Sequence, residues 1–263
     1  MQLRRNIVSL AAIGLMLQLF NPIAGRGQQP QGPRSGRVWA VVIGIARYAK
    51  LPGGLQLQFA DQDARAFASA IKAAGVPAQN VKTLIGNEAT VDAIRTAIGS
   101  WLPRSALPDD IVYIFFSGHG YVERDFNDSY LLAYDSDPQN IYSTAISAAD
   151  MEYILDHRLK ARRVLFLQDA ERRDFFGNDA TGREDSSTFA SSFSHLASSR
   201  PGIAVITASS PGEFSWEGKR WGDQGAFTKY LVEGLSGKAD KDGDGTVSDS
   251  ELFAYLADRL PKD

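Results

Sequence analysis

Residues 110–120 read DIVYIFFSGHG, an apolar run that ends in a histidine between two glycines. The run is rich in β-branched and aromatic residues and does not alternate with polar ones, which is typical of a strand buried on both faces of a parallel sheet. Open α/β sheets place their ligands in the loops beyond the carboxyl ends of such strands. We therefore predict that the strand ends at His119 and that His119 lies at a functional site.

A second segment, residues 163–171, reads RVLFLQDAE and has the same character. It predicts another buried strand, which ends in Asp169 and Glu171. The carboxyl ends of neighbouring parallel strands meet at one edge of a sheet. The sequence therefore predicts a candidate site that contains His119, Asp169 and Glu171.

The rest of the chain alternates between strand-like and helix-like segments. Continuous apolar runs predict further strands at residues 38–45, 81–85, 130–135 and 203–208. Apolar residues at helical spacing predict helices at residues 61–74, 90–102, 147–159 and 225–235, the second of them ended by Pro103. Residues 172–201, rich in Ser, Asp and Gly, are predicted to form a long surface loop. The alternation predicts one α/β domain with a mostly parallel sheet.

Composition narrows the possible function classes. Hydrophobic residues make up 44% of the 263 residues, which is enough for a substantial core. The formal net charge of -3 offers no basic surface of the kind that nucleic-acid binding requires, so we exclude nucleic acid as a partner. The chain has no cysteine, so neither disulfides nor thiol chemistry are open to it.

Residues 1–25 have the pattern of a secretory signal peptide. Two arginines form a charged start, residues 7–20 an apolar stretch, and residues 23–25 a small-residue exit. We predict cleavage there, a flexible linker over residues 26–36, and an exported protein that is periplasmic or secreted without stable membrane insertion. The alternative is an uncleaved membrane anchor, although the apolar stretch is shorter than the roughly 20 residues that a spanning helix needs.

Residues 240–251 read DKDGDGTVSDSE, which is the pattern of an EF-hand calcium loop. Oxygen-bearing side chains occupy positions 1, 3 and 5, a glycine at position 6 permits the sharp turn, and a glutamate at position 12 can bind through both oxygens. The predicted calcium ligands are Asp240, Asp242, Asp244, the Thr246 carbonyl, Ser248 and Glu251. We assign residues 238–263 to this loop and a following helix. Because there is one such loop, a structural calcium clip is favoured over a sensor, and an acidic surface turn is the alternative.

Taken together, the segments from Arg37 to Leu235 resemble the caspase-like cysteine peptidases, in particular the bacterial members related to metacaspases. The matching segments are Trp39–Ile45, Leu57–Ala64, Tyr113–Gly120, Ser129–Asp135, Leu165–Ala170, Thr207–Ser209 and Gly225–Leu231. The resemblance implies a three-layer α/β fold over residues 37–237, with a mostly parallel central sheet flanked by helices. A calcium-type loop after the last helix also resembles some bacterial relatives.

The resemblance implies roles for both strand ends, and it fails at one position. The histidine of a Ser-Gly-His-Gly turn, which matches His119, acts in that family as general acid and base. The nucleophile is a cysteine that follows an Asp-Ala or Asp-Ser pair, and Glu171 occupies that position here. A carboxylate is a far poorer acyl nucleophile than a thiolate. We therefore predict that peptidase activity is lost and that Glu171 and His119 form an ion pair in its place.

The resemblance also implies an acidic pocket for an Arg or Lys side chain. In metacaspase-like relatives the aspartate two residues before the cysteine helps to form it, and here that residue is Asp169, with Asp135 as a second candidate. The alternative is that Asp169 only caps local backbone. If the pocket is retained, the expected partner is a peptide or protein segment that contains Arg or Lys.

Two functions remain open on the sequence. The first is an exported, calcium-binding protein of caspase fold that binds a basic peptide segment without cutting it. The second is an active hydrolase directed at Arg or Lys, in which His119 acts with water activated by Glu171 or with a divalent metal that His119, Asp169 and Glu171 hold. A third interpretation is that Glu171 is a sporadic replacement in an ordinary peptidase, in which case the remaining machinery is expected to be intact.

Overall fold

The computed structural model describes residues 36–172, 182–208 and 221–260, together with the short strands at 16–17 and 217–218. The strands are β1 (Met16–Leu17), β2 (Val38–Gly44), β3 (Val81–Ile85), β4 (Ile111–Glu123), β5 (Asp128–Leu132), β6 (Ala145–Ser147), β7 (Arg163–Arg172), β8 (Ile203–Thr207), β9 (Glu217–Gly218), β10 (Gln224–Gly225) and β11 (Val247–Ser248). The α-helices are α1 (Ala60–Ala73), α2 (Val91–Thr96), α3 (Leu102–Ser105), α4 (Ile141–Thr144), α5 (Ala148–Tyr153), α6 (Gly182–Ser199), α7 (Ala226–Glu233) and α8 (Asp249–Arg259). Short π-helical segments continue three of them, namely Ala97–Trp101 after α2, Ile154–Arg158 after α5 and Gly234–Lys238 after α7.

A seven-stranded sheet occupies the centre of the described residues. Five strands run parallel in the order β3-β2-β4-β7-β8. The far end of β4 turns back into β5, which pairs antiparallel with β4 and with β6. Two further antiparallel pairs, β1 with β11 and β9 with β10, are two residues long and lie outside this sheet.

Apolar clusters cover both faces of the sheet, which explains why its central strands are continuously hydrophobic. Alternate residues of β4, such as Ile114 and Phe115, belong to different clusters. One cluster contains side chains from α2, α5 and α6, and the other contains side chains from α1, α7 and α8. The molecule is therefore a three-layer α/β structure with a mostly parallel sheet between helices, as the sequence predicts.

Local capping signals in the sequence agree with the helix starts. The Thr90 hydroxyl accepts a hydrogen bond from the Ala93 amide at the start of α2, and Ser147 forms a capping box with Asp150 at the start of α5. The predicted end at Pro103 is wrong, because the helical path continues through α3 to Ser105. Pro103 lies in the first turn of α3, where a missing amide hydrogen costs little.

Two further predictions are corrected by the structure. The strand that carries His119 does not end there, because β4 continues to Glu123 once β5 supplies a new antiparallel partner from Gly120 onward. The predicted surface loop 172–201 contains helix α6. In α6, apolar side chains four and three residues apart form a stripe that packs on the sheet, and the frequent serines between them obscure this spacing. The buried members of the stripe are Phe189, Phe193 and Leu196.

The predicted signal peptide and linker lie outside the described residues, apart from β1. Among the residues that the structure describes, no helix is both long and apolar enough to cross a membrane. Helix α8 belongs to the same apolar cluster as α7 and the sheet, since Leu252 and Leu256 are buried there beside Phe227 and Leu231.

Candidate functional site

His119 is fully buried at the point where the parallel and antiparallel parts of the sheet meet. Its backbone amide donates to the Tyr48 hydroxyl at 2.7 Å, and its Nε2 lies 2.6 Å from the Leu55 carbonyl oxygen. The Tyr48 ring packs beside the imidazole, with ring centroids 5.1 Å apart. The segment between β2 and α1 therefore both covers the histidine and orients it.

The contact to Leu55 assigns the proton on the neutral imidazole. A carbonyl oxygen can only accept, so the Nε2 of His119 must carry the hydrogen and donate it. In the neutral ring this leaves the lone pair on Nδ1. A histidine held in this way can take up a proton at Nδ1 and release it again, which is the chemistry of a general acid and base.

Glu171 is the register partner of His119. In the parallel pairing of β4 and β7, Ser117 lies opposite Asp169 and His119 lies opposite Glu171. Adjacent strands are about 4.8 Å apart in a sheet, so the two backbones bring these positions side by side. The predicted ion pair between the two side chains lies outside the described part of the structure and stays a prediction.

Two buried carboxylates, one on β7 and one on α1, lie near Ser117, two residues before His119 on β4. Asp169 accepts a hydrogen bond from the Thr228 hydroxyl at 3.4 Å. Asp63, on the first turn of α1, accepts from the Ser117 hydroxyl at 3.2 Å and from the Gly225 amide at 2.9 Å. Four of these five residues have side chains that are at most 5% exposed, and the fifth is a buried glycine. We call this group, Asp63, Ser117, Asp169, Gly225 and Thr228, the acidic pocket.

Position 225 requires a glycine because two carboxylates lie too close to its backbone to leave room for a side chain. A Cβ at Gly225 would lie 2.8 Å from one oxygen of Asp169 and 3.2 Å from one oxygen of Asp63. Both carboxylates therefore converge on the same point at the start of α7. When ionised, two carboxylates at one buried point could pair with a cationic group that has several hydrogen-bond donors.

Sequence reasoning did not assign Asp63 or Ser117 to the pocket. Asp63 lies four and eight residues before Phe67 and Ile71, so it occupies the apolar stripe of α1. A charged residue on a buried stripe is the signal that could have identified it, because such a charge needs nearby polar partners.

The structure places Asp135, the second predicted pocket residue, elsewhere. Its carboxylate accepts a hydrogen bond from the Val91 amide at 2.9 Å, at the start of α2. The next backbone bond, from Tyr134 to the Ala89 carbonyl, ties the same segment to α2. The structure therefore ties Asp135 to the start of α2, whereas Asp169 is bonded to Thr228 on α7.

The predicted calcium loop brings three of its carboxylates together. Carboxylate oxygens of Asp240, Asp242 and Asp244 lie within 4.8 Å of one another. Gly245, at the sixth position, has a φ of +83°, a value that favours glycine. Ser248 and Glu251 form a capping box that starts α8 at Asp249, within the last positions of the loop. This donor set of clustered carboxylates, with the Thr246 carbonyl and Ser248 nearby in sequence, suits the oxygen preference of calcium.

Glu251 joins the first residues of the loop to its last residues through hydrogen bonds. One of its oxygens accepts from the amides of Lys241 and Asp242, and the other accepts from the amide and hydroxyl of Ser248. The bond from the Ser248 amide, followed by the one from Lys241, lowers the pKa of Glu251 to about 2. The carboxylate is thus ionised at neutral pH and lies at the end of the loop where a twelfth-position ligand is expected.

Comparisons with known proteins agree on the fold. A peptidase family model described as the caspase domain matches residues 37–260, which is most of the chain. The crystal structure of a protein from Geobacter sulfurreducens matches with a TM-score of 0.60 and 18% sequence identity, over 86% of this chain and 90% of that one. At that identity the likeness shows the shared fold alone. No curated protein matches the chain.

Proposed function

The chain belongs to the caspase-domain family of peptidases, and on that premise we propose that it is a member without peptidase activity, which binds calcium and a basic peptide segment. One observation carries the proposal. The chain contains no cysteine, and the position that follows Asp169-Ala170 on β7, in register with His119, is a glutamate. The general acid and base is retained while the nucleophile is missing.

The chemistry of the replacement supports the loss of cleavage. In the cysteine peptidases that this chain resembles, a thiolate attacks the amide carbonyl to form an acyl enzyme, which is then hydrolysed. The histidine transfers protons in both steps. A carboxylate at position 171 would have to form an anhydride from an amide, which is strongly unfavourable. Ser117 and Thr228 carry the nearest hydroxyls of the acidic pocket, but both are buried and neither occupies the position that follows Asp169-Ala170.

The acidic pocket supports binding of a basic side chain. The Asp63 and Asp169 carboxylates converge at Gly225, and Ser117 and Thr228 add hydroxyl oxygens at the same place. An arginine guanidinium presents five donors in a fixed plane, and a lysine ammonium presents three. We propose that an Arg or Lys side chain of a peptide or protein partner enters this pocket, with arginine favoured where both carboxylates are engaged.

Calcium binding would stabilise the fold rather than act at the pocket. The ligand positions of the loop lead directly into α8, whose apolar face is part of the main core. An ion held by Asp240, Asp242, Asp244 and Glu251 would offset two of the four negative charges of these carboxylates and fix the start of that helix. We therefore propose a structural calcium clip.

We also propose that the protein is exported, because residues 1–25 have the charge and hydropathy pattern of a signal peptide. Retention of that segment as a membrane anchor is the alternative. Mass determination of the mature protein from a periplasmic or culture fraction distinguishes them, since export with cleavage predicts a new N-terminus near Arg26.

The deciding experiment is hydrolysis of fluorogenic peptides that end in Arg, Lys or Asp, with and without calcium. The mature parent, Glu171→Cys and the matched control Glu171→Ala are measured side by side. We expect the parent and Glu171→Ala to be inactive and Glu171→Cys to cut after Arg or Lys. Cleavage by the parent that Glu171→Ala abolishes would overturn the proposal.

The register of His119 with Glu171 favours a second candidate function. A histidine and a carboxylate on adjacent strands could together activate a water molecule, or hold a divalent metal with Asp169, and so support hydrolysis without a thiol. The same assay decides it, because only this candidate requires turnover by the parent. Turnover that chelators remove, and that zinc or another divalent metal restores, would favour the metal form.

A further inference from the structure

Gln56 cross-links the segment between β2 and α1 that covers His119. Its side-chain oxygen accepts from the Tyr48 amide at 2.7 Å, and its side-chain nitrogen donates to the Leu51 carbonyl at 2.8 Å and to the Tyr48 carbonyl at 3.2 Å. One partly buried amide group thus joins both ends of residues 48–56. Side-chain amides that satisfy several backbone groups hold irregular segments in one conformation.

The two groups that orient His119 come from this cross-linked segment. Tyr48 places its ring beside the imidazole and its hydroxyl on the His119 amide, and Leu55 places its carbonyl on Nε2. Gln56 is bonded to the backbone of Tyr48 and is the chain neighbour of Leu55. It therefore fixes both contacts at once without touching the imidazole itself.

The tip of the segment is open to solvent. Gly53 and Gly54, at its tip, are exposed, and a Cβ at either would meet no neighbour within 4 Å. Within the segment, the Leu55 amide donates to the Pro52 carbonyl and the Gln56 amide donates to the Gly53 carbonyl. Two longer backbone bonds, from Leu57 to the Ala46 carbonyl and from Ala49 to the Tyr134 carbonyl, lie near its two ends. The Gln56 side chain thus ties the turn that carries the Leu55 carbonyl back to Tyr48 and Leu51.

We infer that Gln56 is the positioning residue for His119: it holds the Leu55 carbonyl on Nε2 and keeps the imidazole shielded from solvent. The effect is exerted through Tyr48 and Leu55. It goes beyond the proposed function, since it concerns the histidine alone and is independent of calcium and of any bound peptide. A purely structural glutamine would stabilise the fold without altering the environment of His119.

The three histidines of the chain provide a direct test. His157 and His195 are exposed and His119 is fully buried, so an acylating reagent such as diethyl pyrocarbonate should modify the first two and spare the third. The rate of modification is measured for each histidine by peptide mass spectrometry. The full chain is compared with Gln56→Met, which has a similar size but no polar atoms, and with Gln58→Met, an exposed control two residues away.

We expect Gln56→Met to raise the modification rate of His119 by about tenfold to a hundredfold, because three hydrogen bonds that oppose local opening are lost. The rates at His157 and His195 should stay within about twofold in every variant, and Gln58→Met should match the parent at all three sites. In NMR spectra the ring N–H resonance of His119, protected from exchange in the parent, should disappear in Gln56→Met alone.

Gln56→Glu is measured in parallel, since it keeps the acceptor for the Tyr48 amide but faces two carbonyl oxygens with a carboxylate. Either variant decides the question if its melting transition remains cooperative. The inference would be overturned if a folded Gln56 variant showed the same modification rate at His119 and the same ring N–H signal as the parent. Failure of the peptidase or calcium experiments leaves this result unaffected.

Discussion

Calcium removal should lower the stability of the whole domain by a predictable amount. An ion that binds only the folded state stabilises it by about 2.7 kcal/mol when its free concentration is a hundred times its dissociation constant. For a domain of this size each kcal/mol shifts the melting temperature by about 2–4 °C. Transfer from saturating calcium to a chelator should therefore lower the melting temperature by about 5–10 °C.

The structure also predicts that this loss occurs in one transition. Val247, Leu252 and Leu256 are buried in the cluster that contains α7 and the sheet. Each such side chain contributes about 1.5–3 kcal/mol by leaving water, so undocking α8 would cost more than the ion supplies. The hydrogen bonds of Glu251 also tie the first residues of the loop to the start of α8. The loop and the domain are thus expected to melt together.

Differential scanning calorimetry and calcium titration calorimetry test this reasoning. Asp240→Asn should lose both calcium binding and the calcium-dependent shift, whereas Asp258→Asn, an equal charge change on the exposed side of α8, should keep both. Identical melts of the parent in calcium and in chelator, together with no heat of binding, would refute the calcium site. Binding with a separate early transition for the C-terminal residues would refute the shared core.

Three further predictions concern the pocket, the pH dependence and the helix that the sequence obscured. Asp63→Asn and Asp169→Asn should each weaken binding of an arginine peptide by at least about tenfold in fluorescence anisotropy, because each removes one charge from the pocket, whereas Asp135→Asn should not. Burial raises the pKa of Asp110, but hydrogen bonds from Leu107, Arg37 and Trp39 outweigh it and leave the pKa lowered from 3.8. The ionised Asp110 carboxylate therefore stabilises the fold above pH 3.8, and this stabilisation is lost as the pH falls below 3.8. Asp110→Asn should lower the free energy of unfolding, measured in urea, by about 2 kcal/mol at pH 7 and by less at pH 3. An equal loss at both pH values would contradict the assignment. Phe193→Ala should lower the free energy of unfolding by about 3–5 kcal/mol, because this side chain of α6 is fully buried.

Much of the fold could be predicted from the sequence because its strands are unusually explicit. The runs at β2, β4 and β7 are continuous apolar segments bounded by polar residues, and a central parallel sheet follows from them directly. Helix α6 was missed because the frequent serines obscure the helical spacing of Phe189, Phe193 and Leu196. Local composition favoured a loop, and packing against the sheet overrode it.

The site residues could be predicted only where they lie near the ends of predicted strands. His119, Asp169 and Glu171 lie on neighbouring strands, which the order of apolar runs indicates. Asp63 is 106 residues before Asp169 and reaches it only because α1 packs on that face of the sheet. The contact of Leu55 with His119 involves a backbone carbonyl, which carries no sequence signature at all.

The double pairing of β4 has a consequence for how the protein folds. Its far end joins β5 through a turn of only four residues, whereas its near end pairs Ile111 with Val38 and with Arg163, both distant in the chain. A hairpin of the first kind forms in about 1–10 μs, but closing the long intervening segments is much slower. We expect the hairpin of β4 and β5 to form early, before β4 pairs with β2 and β7. His119 then lies at the boundary between the early pairing and the later ones.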